Sequence, residues 1–470
     1  MPRSPSVFLL SVVLIILPHP AILTAQPDTA VVLIEGSNGN PVGIGDAFYR
    51  HRNVLGQLGY PQERLDRLAM CFRVSKESTA IENLGTIGAQ IVHGGGPDCP
   101  ASVVEICALV EDITPYVDYR ELSCTDGSQL SSPALSTGRA DGSVTAGAIL
   151  RAHQNVLRYP PNDPLFPRQK RFFQALRIEE TWEAVRQSGL PRKDVIVSLV
   201  DDGVPGGHPE LKGKLLKGYD VGGAKNKSLL VKSGHGTAMA GIIAANINNG
   251  IGIAGIADKV KLRPIDDVNP ITGKATLSMT MRALEATLRF KKNDVILFAA
   301  GYPYGQKTAL LFKRVLEKAV KKGILFLTAV SNKDDADGME ELLLPCSLAN
   351  GIPGVLCIAA TTAKNPFVLS RNSSRLASFG APGTDVWLPT RKRDGDDWIY
   401  KNRKGASAAA AAVAGIVALM KSFKNFKPRD VERILLNCTE GRVRTENGAE
   451  MFYGVLRPDL AVSQAIAEAR

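Results

Sequence analysis

The chain has 470 residues, 44% of them apolar and 22% charged, a composition typical of a folded globular protein with two or three domains. Its formal net charge of +11 would suit a nucleic-acid-binding protein, but the lysines and arginines are scattered and no nucleic-acid-binding motif accompanies them. Composition and charge therefore argue against nucleic acid as a partner and favour a basic, solvated surface.

The N-terminal segment, residues 1–25, has the pattern of a secretory signal peptide. Arg3 precedes an apolar stretch at residues 7–16, and the small residues at 23–26 resemble a signal-peptidase site after Ala25. The apolar stretch is too short for a membrane span, and no later segment supplies the roughly 18 uninterrupted apolar residues that a span needs. We therefore expect a secreted, extracellular protein with no stable membrane span.

The seven cysteines fit an exported chain, in which disulfides form readily. Four of them form an even set that could close internally: Cys71, Cys99, Cys107 and Cys124. Among the other three, Cys346 and Cys357 flank a turn-rich segment and are the preferred pair, which leaves Cys438 as a free thiol. Three N-glycosylation sequons agree with export: Asn226, Asn372 and Asn437.

Residues 26–123 alternate between predicted strands and helices, in an order that predicts a small α+β open sandwich. The strands are expected at residues 29–35, 68–74, 88–95 and 113–122, and the helices at 48–59 and 102–112. From residue 124 to about residue 152 the chain is rich in Ser, Gly, Thr and Ala and lacks apolar periodicity. Residues 124–158 are therefore interpreted as a linker.

Beyond residue 159, short apolar strands alternate with helical stretches. The predicted strands are residues 195–203, 260–268, 294–301, 323–332 and 354–362. Continuous apolar strands of this kind indicate a parallel sheet that is buried on both faces. Ligands of such sheets bind beyond the carboxyl ends of the strands, so the polar residues found there are candidates for function.

The search for a general base is short, because only two of the six histidines follow residue 166. His208 lies in a glycine- and proline-rich loop, where a structural role is the more common one. His235 lies between two glycines at the start of an apolar helix, and glycines let a substrate approach the imidazole closely. Asp201 ends a strand and could hold an imidazole in one tautomer, although carboxylates at strand ends also serve as turn formers.

Ser407 opens an alanine-rich helix, so its own N–H and the positive end of the helix can face a developing oxyanion. A serine before a run of alanines is most often simply the start of a buried helix. Asn332 closes a predicted strand, from which its side-chain amide could supply a second oxyanion donor. Each residue is a weak signal alone, but together with Asp201 and His235 they lie on consecutive strand–helix elements of one domain.

The order Asp, His, Ser, in the contexts LVDDGVPGGHPEL, SGHGTAMAGIIAA and GASAAAAAVAGIVAL, resembles that of the subtilisin-like serine proteases. The resemblance covers about residues 160–470. It implies an α/β three-layer sandwich with a mostly parallel central sheet, over a catalytic domain at residues 159–470. It also implies a secreted serine endopeptidase that cleaves peptides and proteins through an acyl-enzyme intermediate.

The resemblance carries the family's roles onto four residues: Asp201 as orienting carboxylate, His235 as base and then acid, Ser407 as nucleophile, and Asn332 as oxyanion donor. Three further residues match the strand that pairs with an extended substrate in the family: Ala299, Ala300 and Gly301. The first two replace a common Ser-Leu pair, which predicts an unusually shaped cleft.

The chain departs from the family pattern beside the nucleophile. The family usually has threonine, methionine and proline at the positions held here by Ala406, Ala408 and Ala411. Loss of the threonine hydroxyl predicts slower catalysis rather than none, because it removes only a secondary oxyanion contact. Asp202 replaces the usual Ser or Thr after the catalytic aspartate, which predicts an altered substrate affinity or pH dependence.

Residues 247–257 resemble the loop that binds structural calcium in many subtilisins. The match implies side-chain oxygens from Glu210 and Asn249 and main-chain carbonyls from Ile247, Ile251 and Ile253, a set of hard ligands suited to calcium. The alternative is a glycine-rich turn that serves packing alone.

Residues 26–123 resemble the propeptide of the same proteases, and PYVDYREL matches its final strand. This resemblance implies a zymogen in which the chain's own propeptide is an intramolecular inhibitor and folding template. Processing would fall between residues 124 and 171, and the basic cluster at 168–171 is one candidate. The family's mature enzymes often retain an NDP-x-x-x-x-Q segment, here residues 162–169, which favours an earlier cut.

Two other classes of function stay open. A secreted pseudoprotease, catalytically weak or inactive, would bind peptides in the same cleft, although the intact catalytic residues argue against it. A basic surface-binding protein would instead show salt-sensitive binding to polyanions.

Overall fold

The structure is a computed structural model that describes residues 12–16, 29–34, 43–57, 60–72, 80–109 with short gaps, 124–126, 156–221, 234–269, 273–332, 343–370, 376–391, 398–443 and 453–470. By its internal contacts the chain divides into two units. Unit 1 comprises Met1–Gln129, Thr276–Glu285 and Tyr304–Val315, and unit 2 comprises Leu130–Ala275, Ala286–Pro303 and Leu316–Arg470.

Within the described residues the helices are α1 Ile44–Gln57, α2 Gln62–Cys71, α3 Phe166–Ala175, α4 Ile178–Gln187, α5 His235–Ala244, α6 Leu277–Arg289, α7 Gln306–Lys321, α8 Ala406–Phe423, α9 Pro428–Asn437 and α10 Pro458–Ala469. The strands are β1 Val12–Ile16, β2 Thr29–Ile34, β3 Ile81–Leu84, β4 Ala89–His93, β5 Cys124–Asp126, β6 Val195–Asp201, β7 Tyr219–Asp220, β8 Val260–Asp266, β9 Val295–Phe298, β10 Tyr302–Pro303, β11 Leu325–Ala329, β12 Leu343–Leu344, β13 Val355–Thr361, β14 Phe379–Pro382, β15 Val386–Arg391, β16 Trp398–Arg403, β17 Thr439–Glu440 and β18 Val455–Leu456. Two 3₁₀ turns are Pro209–Leu211 and Cys346–Gly351.

Unit 1 is built on a five-stranded sheet with the order β3-β4-β2-β1-β5. β2 pairs antiparallel with β1 and β4, β3 pairs antiparallel with β4, and β5 runs parallel to β1. β2 and β4 confirm the strands expected at 29–35 and 88–95. β1 lies within the segment interpreted as a signal peptide, and β5 lies at the start of the segment interpreted as a linker.

The strand predicted at residues 68–74 is wrong, because Gln62–Cys71 form α2. Leu65, Leu68 and Cys71 are buried at a spacing of three residues, so they line one face of a helix rather than alternate across a strand. β3 was not predicted, and the four-residue run that forms it is too short to show a clear period. The strand expected at 113–122 lies outside the described residues.

A disulfide joins Cys71 to Cys99 in unit 1, so two of the four N-terminal cysteines close internally as expected. The side chains of Cys107 and Cys124 lie outside the described part of the chain. In the same unit, the Nε of Arg282 donates to Glu82 on β3 at 2.7 Å. The N–H of Thr86, in the turn after β3, donates to Glu285 at 2.9 Å.

Unit 2 contains a nine-stranded sheet with the order β17-β18-β14-β13-β11-β9-β6-β8-β7. All of its pairings are parallel except that of β17 with β18. Every residue of β9, β11 and β13 is buried, which is why these strands read as continuous apolar runs. The prediction of a mostly parallel central sheet is confirmed.

The strand order reverses direction between β6 and β9. The chain passes from β6 through α5 to β8 on one side, and from β9 through α7 to β11 on the other side. Right-handed crossovers that diverge in this way wind helices onto both faces of a sheet, so the α/β three-layer sandwich is confirmed. A ligand crevice is expected at the carboxyl ends of β6 and β9, where the connections diverge.

α8 is the central helix of unit 2. It packs against β6, β8, β9, β11, β13 and β14. Its residues from Ala406 to Ser422 are all buried. A Cβ added to Gly415 would lie 2.8 Å from the Cβ of Ile256, so small residues let the helix approach its neighbours closely. Among the described helices, only α8 is long and apolar enough to suit a membrane span, and 94% of its apolar window is buried inside the protein.

The C-terminal cysteines are arranged as predicted. A disulfide joins Cys346, in a 3₁₀ turn, to Cys357 on β13. Cys438 is a buried free thiol, and its Sγ lies 3.4 Å from Oε1 of Gln464. Of the three sequon asparagines, Asn437 is exposed at the end of α9, and the other two lie outside the described residues.

Candidate active site

The four predicted catalytic residues stand at the ends of elements in unit 2. Asp201 is the last residue of β6 and His235 is the first residue of α5. Asn332 follows β11, and Ser407 is the second residue of α8. Because parallel strands end at the same edge of their sheet, this arrangement gathers the residues at the edge where ligands of such sheets bind.

His235 and Asp201 form a buried pair. Nδ1 of His235 lies 2.7 Å from Oδ2 and 2.9 Å from Oδ1 of Asp201. The two side chains are only 11% and 7% exposed. A proton on Nδ1 that is held by this carboxylate leaves Nε2 as the basic nitrogen of the ring, which is the tautomer that a general base needs.

Burial and charge act against each other on the pKa of His235. Burial alone would lower the pKa, but the charge of Asp201, the hydrogen bond to it and the charge of Asp202 outweigh burial and raise it above the usual value. An imidazolium at this position is therefore stabilised by neighbouring carboxylates.

Ser407 is held by the strand next to the one that carries Asp201. Its Oγ donates to the main-chain carbonyl of Ala299 at 3.1 Å. Ala299 directly follows β9, and β9 pairs with β6. The start of α8 thus brings the hydroxyl to the crevice between β6 and β9. The hydroxyl must exchange its bond to Ala299 for one to a base before it can act as a nucleophile.

Asn332 is anchored to the first turn of the same helix. Its Oδ1 accepts a hydrogen bond from the N–H of Ala406 at 2.8 Å, and the residue is 7% exposed. Because this bond fixes which end of the amide is the oxygen, Nδ2 is the donor end of the side chain. Ala408 and Ala411 are fully buried in the helix, where their small side chains suit the packing.

The three predicted substrate-binding residues form the segment between β9 and β10. Ala299 is buried against Ser407, and Ala300 and Gly301 follow it. A Cβ on Gly301 would lie 3.2 Å from the carbonyl oxygen of Leu344 on β12, so packing against β12 favours glycine there. The pairing of this segment with a substrate stays a prediction.

His208 has the structural role that its loop suggested. It is 1% exposed, its Nδ1 accepts the N–H of Glu210 at 3.2 Å, and its ring lies against Trp398 with 4.2 Å between ring centroids. Burial lowers the pKa of His208 to about 4, so the ring is neutral at ordinary pH.

The residues of the predicted calcium loop gather around Glu210, which is fully buried. Its Oε1 accepts the N–H of Ile253 at 2.7 Å and the hydroxyl of Tyr400 at 2.8 Å. Its Oε2 accepts from Nδ2 of Asn249 at 3.3 Å, and Oδ1 of Asn249 accepts the N–H of Ile251 at 2.8 Å. Burial raises the pKa of Glu210 to about 8, and these hydrogen bonds offset only part of the rise.

This geometry does not fit calcium as the residues are arranged. A calcium site needs oxygens that converge on the ion. Here Asn249 turns its Nδ2 toward Glu210 while its Oδ1 accepts the N–H of Ile251, so the two side-chain oxygens do not face a common point. Ile247, another predicted carbonyl ligand, lies two residues before Asn249 in the chain. Within the described residues, no group of three or more His, Cys, Asp or Glu side chains is placed to hold a metal ion. Calcium stays a prediction from the resemblance.

Sequence reasoning missed two residues that contact Glu210 or this loop. Tyr400 reaches Glu210 from the hairpin formed by β15 and β16, and no local pattern marks it. Asp163 accepts the N–H groups of Asn248 and Asn249 at 2.9 and 3.2 Å. The signal that could have found Asp163 is the NDP motif that contains it.

Comparisons with known proteins point to one protein family. A family model described as Subtilase family matches residues 192–455, more than half of the chain. The major intracellular serine protease of Bacillus subtilis is 28% identical over 223 residues, which are 46% of this chain and 66% of that protein. Subtilisin E of Bacillus subtilis is 28% identical over 203 residues, which are 43% of this chain and 50% of that protein. The chain thus spans between half and two thirds of the length of these two relatives.

A solved structure extends the likeness in fold. Fervidolysin from Fervidobacterium pennivorans, described as a keratinolytic enzyme related to subtilisin, superimposes with a TM-score of 0.58 at 19% identity. The match covers 86% of this chain and 59% of that one. At this identity the likeness concerns the fold alone.

Proposed function

Because the chain belongs to the subtilase family, whose model matches residues 192–455, we propose that it is a serine endopeptidase that hydrolyses peptide bonds. The observation that carries the proposal is the buried pair of His235 and Asp201, with 2.7 Å between Nδ1 and Oδ2, at the sheet edge where Ser407 begins α8. This pair supplies an oriented base, and the first turn of α8 supplies a nucleophile and an oxyanion donor.

The proposed reaction has two stages. In the first, Nε2 of His235 takes the proton of the Ser407 hydroxyl while Oγ attacks the carbonyl carbon of the substrate. The N–H of Ser407 and Nδ2 of Asn332 stabilise the oxyanion of the tetrahedral intermediate. The imidazolium then gives its proton to the leaving amine, and the acyl-enzyme forms. In the second stage, water repeats the sequence and releases the acid and the free serine.

The proposal includes a precursor organisation. Residues 1–25 would be a signal peptide that directs secretion, residues 26–123 an inhibitory propeptide, and residues 124–158 a linker that is cut. The contacts of Glu82 and Thr86 with residues 276–285 support a role for the N-terminal domain as a partner of the catalytic part.

The anchoring of residues 156–169 supports a cut before residue 156 rather than at the basic cluster 168–171. Asn248 Nδ2 donates to the carbonyls of Val156 and Arg158 at 2.9 and 3.0 Å. Gln169 is buried in α3 and exchanges two hydrogen bonds of 2.9 Å with the main chain of Ala254. A protease needs an extended, accessible segment, and a buried helical glutamine does not offer one.

A fluorophosphonate label tests the activity, because it reacts only with an activated serine. We expect the processed protein to be labelled at Ser407 and to cleave a peptide library, and both signals to disappear in Ser407→Ala and His235→Ala. Ser422→Ala is the matched control, since Ser422 lies in the same helix with its Oγ bonded to the carbonyl of Leu419. A processed, folded protein that neither takes up the label nor cleaves any peptide would instead be a peptide-binding pseudoprotease.

A further inference from the structure

Asp202, the residue after Asp201, contacts the first turn of the helix that carries His235. Its Oδ2 accepts the main-chain N–H of His235 at 3.1 Å, and its Oδ1 accepts the N–H of Gly236 at 2.6 Å. Asp202 is 8% exposed, so both contacts are shielded from water. The two adjacent aspartates thus contact one histidine at different points: one at its ring and the other at its main chain.

Asp202 replaces a side-chain N-cap that α5 does not have at its own first residue. The first N–H groups of a helix have no partner within the helix, and a side-chain oxygen at the N-cap usually accepts from them. The N-cap of α5 is Gly234, with a φ of 77°, and it provides no side-chain cap. Asp202 supplies that cap from the end of β6, and its negative charge faces the positive end of the helix.

The glycine after His235 fits the same contact. A Cβ at Gly236 would lie 2.4 Å from the carbonyl oxygen of Gly203 and 3.0 Å from Oδ1 of Asp202. The main chain of α5 therefore rests directly on the segment 202–203. A displacement of Asp202 would move the main chain of His235 with it.

We propose that Asp202 is a positioning residue for catalysis, which fixes the main chain of His235 through a charged cap while Asp201 fixes its ring. This inference rests on the proposed function, in which His235 is the general base. It also assigns a role to the departure from the Ser or Thr that the family usually has at this position.

The charge of Asp202 has a second effect, on the proton affinity of His235. The elements packed against α5 are β6, β8, β15, α8 and the 3₁₀ turn Pro209–Leu211. Their titratable and charged residues, with those of the adjoining β7 and of the loops after β6 and β8, are Asp201, Asp202, His208, Glu210, Tyr219, Asp220, Lys261, Arg263, Asp266, Asp267, Arg391 and Lys421. Of these, the carboxylates of Asp201 and Asp202 raise the pKa of His235 against the effect of burial.

Asp266 offers a comparison within the same sheet edge. It pairs in register with Asp201 and with Asp220. Burial raises the pKa of Asp266 to about 7, and although the N–H of Val268 opposes the rise, the charges of Asp220, Asp202 and Asp201 add to it. The charges that raise the pKa of His235 are those of Asp201 and Asp202 and not that of Asp266, so the removal of Asp266 should affect His235 less than the removal of Asp202.

The direction of the pH effect follows from the charge. A base must be neutral to accept the proton of Ser407, so activity rises as the pH passes upward through the pKa of His235. Without the charge of Asp202 that pKa falls, and the acid limb of the kcat/KM profile moves to lower pH. One adjacent charge moves a pKa by about one unit or more.

The test compares Asp202→Asn with the parent enzyme over a range of pH. Asn keeps one oxygen for the helix N–H groups and loses the charge, so we expect a folded enzyme whose acid limb lies about one pH unit lower. Asp202→Ser, which carries a residue usual in the family, should move the limb in the same direction. Asp266→Asn is the control for loss of a carboxyl at the same edge, and it should move the limb less.

An acid limb that stays in place in Asp202→Asn, with kcat lowered equally at every pH, would reduce Asp202 to a structural residue and overturn the inference. A second readout does not need activity: the NMR titration of the His235 ring in a Ser407→Ala background. There, Asp202→Asn should lower the titration midpoint of His235 by a similar amount. If the parent enzyme cleaves no peptide at any pH, the proposed function fails and the catalytic role of Asp202 fails with it. An active parent whose His235 midpoint does not move in Asp202→Asn would overturn the inference alone.

Discussion

At the scale of single residues, the orientation of one amide decides whether Asn332 can stabilise an oxyanion. The N–H of Ala406 holds Oδ1 at 2.8 Å, so the other end of the amide is the donor. An aspartate in the same place would satisfy Ala406 equally well but would have no N–H to offer. Position and function can therefore be separated at this residue.

We expect Asn332→Asp to lower kcat by at least about 10²-fold with little change in KM, because it removes a donor that acts mainly in the transition state and places a negative charge beside the oxyanion. Asn332→Ala should lower kcat similarly and should also destabilise the protein by about 1 kcal/mol, since it leaves the N–H of Ala406 without its acceptor. Steady-state kinetics on a peptide substrate and denaturant unfolding measure the two effects. An unchanged kcat in Asn332→Asp would exclude Asn332 from the oxyanion site.

At the scale of elements, the hairpin of β15 and β16 is tied to the loop at 247–253 through a single buried carboxyl. Tyr400 on β16 and Ile253 in the loop both donate to Oε1 of Glu210. A Cβ on Gly252 would lie 2.1 Å from both Oε1 of Glu210 and the hydroxyl of Tyr400, so the loop has room only for glycine there. These contacts occupy the position where the resemblance implied calcium.

We expect Tyr400→Phe to lower the free energy of unfolding by about 1–3 kcal/mol, because a buried acceptor loses a donor. Tyr453→Phe is the matched control: Tyr453 is 41% exposed, and its change should stay within about 0.5 kcal/mol. Denaturant unfolding of both variants measures the difference.

Denaturant unfolding also tests whether the protein binds calcium. With the oxygens of Glu210 engaged by protein donors, the unfolding free energy of the unaltered enzyme should be equal in calcium and in a chelator. A calcium-dependent stabilisation that Glu210→Gln abolishes would instead show that the loop rearranges around an ion, as the resemblance implied.

Elements with a strong and continuous pattern could be predicted from the sequence. β6, β9, β11 and β13 are buried apolar runs, and the polar residues at their ends marked the sheet edge where Asp201 and Asn332 lie. The secondary structure of residues 62–71 was harder to predict, because a short helix and a half-buried strand can carry the same few apolar residues. Only the spacing of Leu65, Leu68 and Cys71 separates the two.

The cap by Asp202 and the bond of Tyr400 to Glu210 could not be predicted in this way. The residues they join are 33 and 190 positions apart in the chain, so no local period connects them. Asp202 could be noted as unusual for the family, but its purpose depends on α5 starting directly above the end of β6. Tertiary contacts of this kind appear only once the elements are assembled.

At the scale of the whole molecule, the disulfide between Cys346 and Cys357 closes a short loop beside a central strand of unit 2. The two cysteines are separated by 11 positions. Closing a loop of this size lowers the conformational entropy of the unfolded chain, which stabilises the folded state by about 3 kcal/mol. The bridge is therefore expected to stabilise unit 2 by restricting its denatured state.

We expect the double change Cys346→Ala and Cys357→Ala to lower the free energy of unfolding of the protein by about 3 kcal/mol. Cys438→Ala is the comparison, because it removes a buried thiol that forms no bridge and should cost only about 1 kcal/mol. Denaturant unfolding under non-reducing conditions measures both. An equal loss in the two proteins would mean that packing, not the cross-link, accounts for the effect.

The burial of α8 affects how the protein should lose activity when it unfolds. Ser407 lies in the first turn of α8. The residues that follow it, through Ser422, are all buried. Amide hydrogens in such a helix exchange with solvent mainly when the entire domain opens, rather than through local fraying. Because Ser407 is buried at the start of this helix, we expect heat or denaturant to abolish activity only when unit 2 unfolds cooperatively.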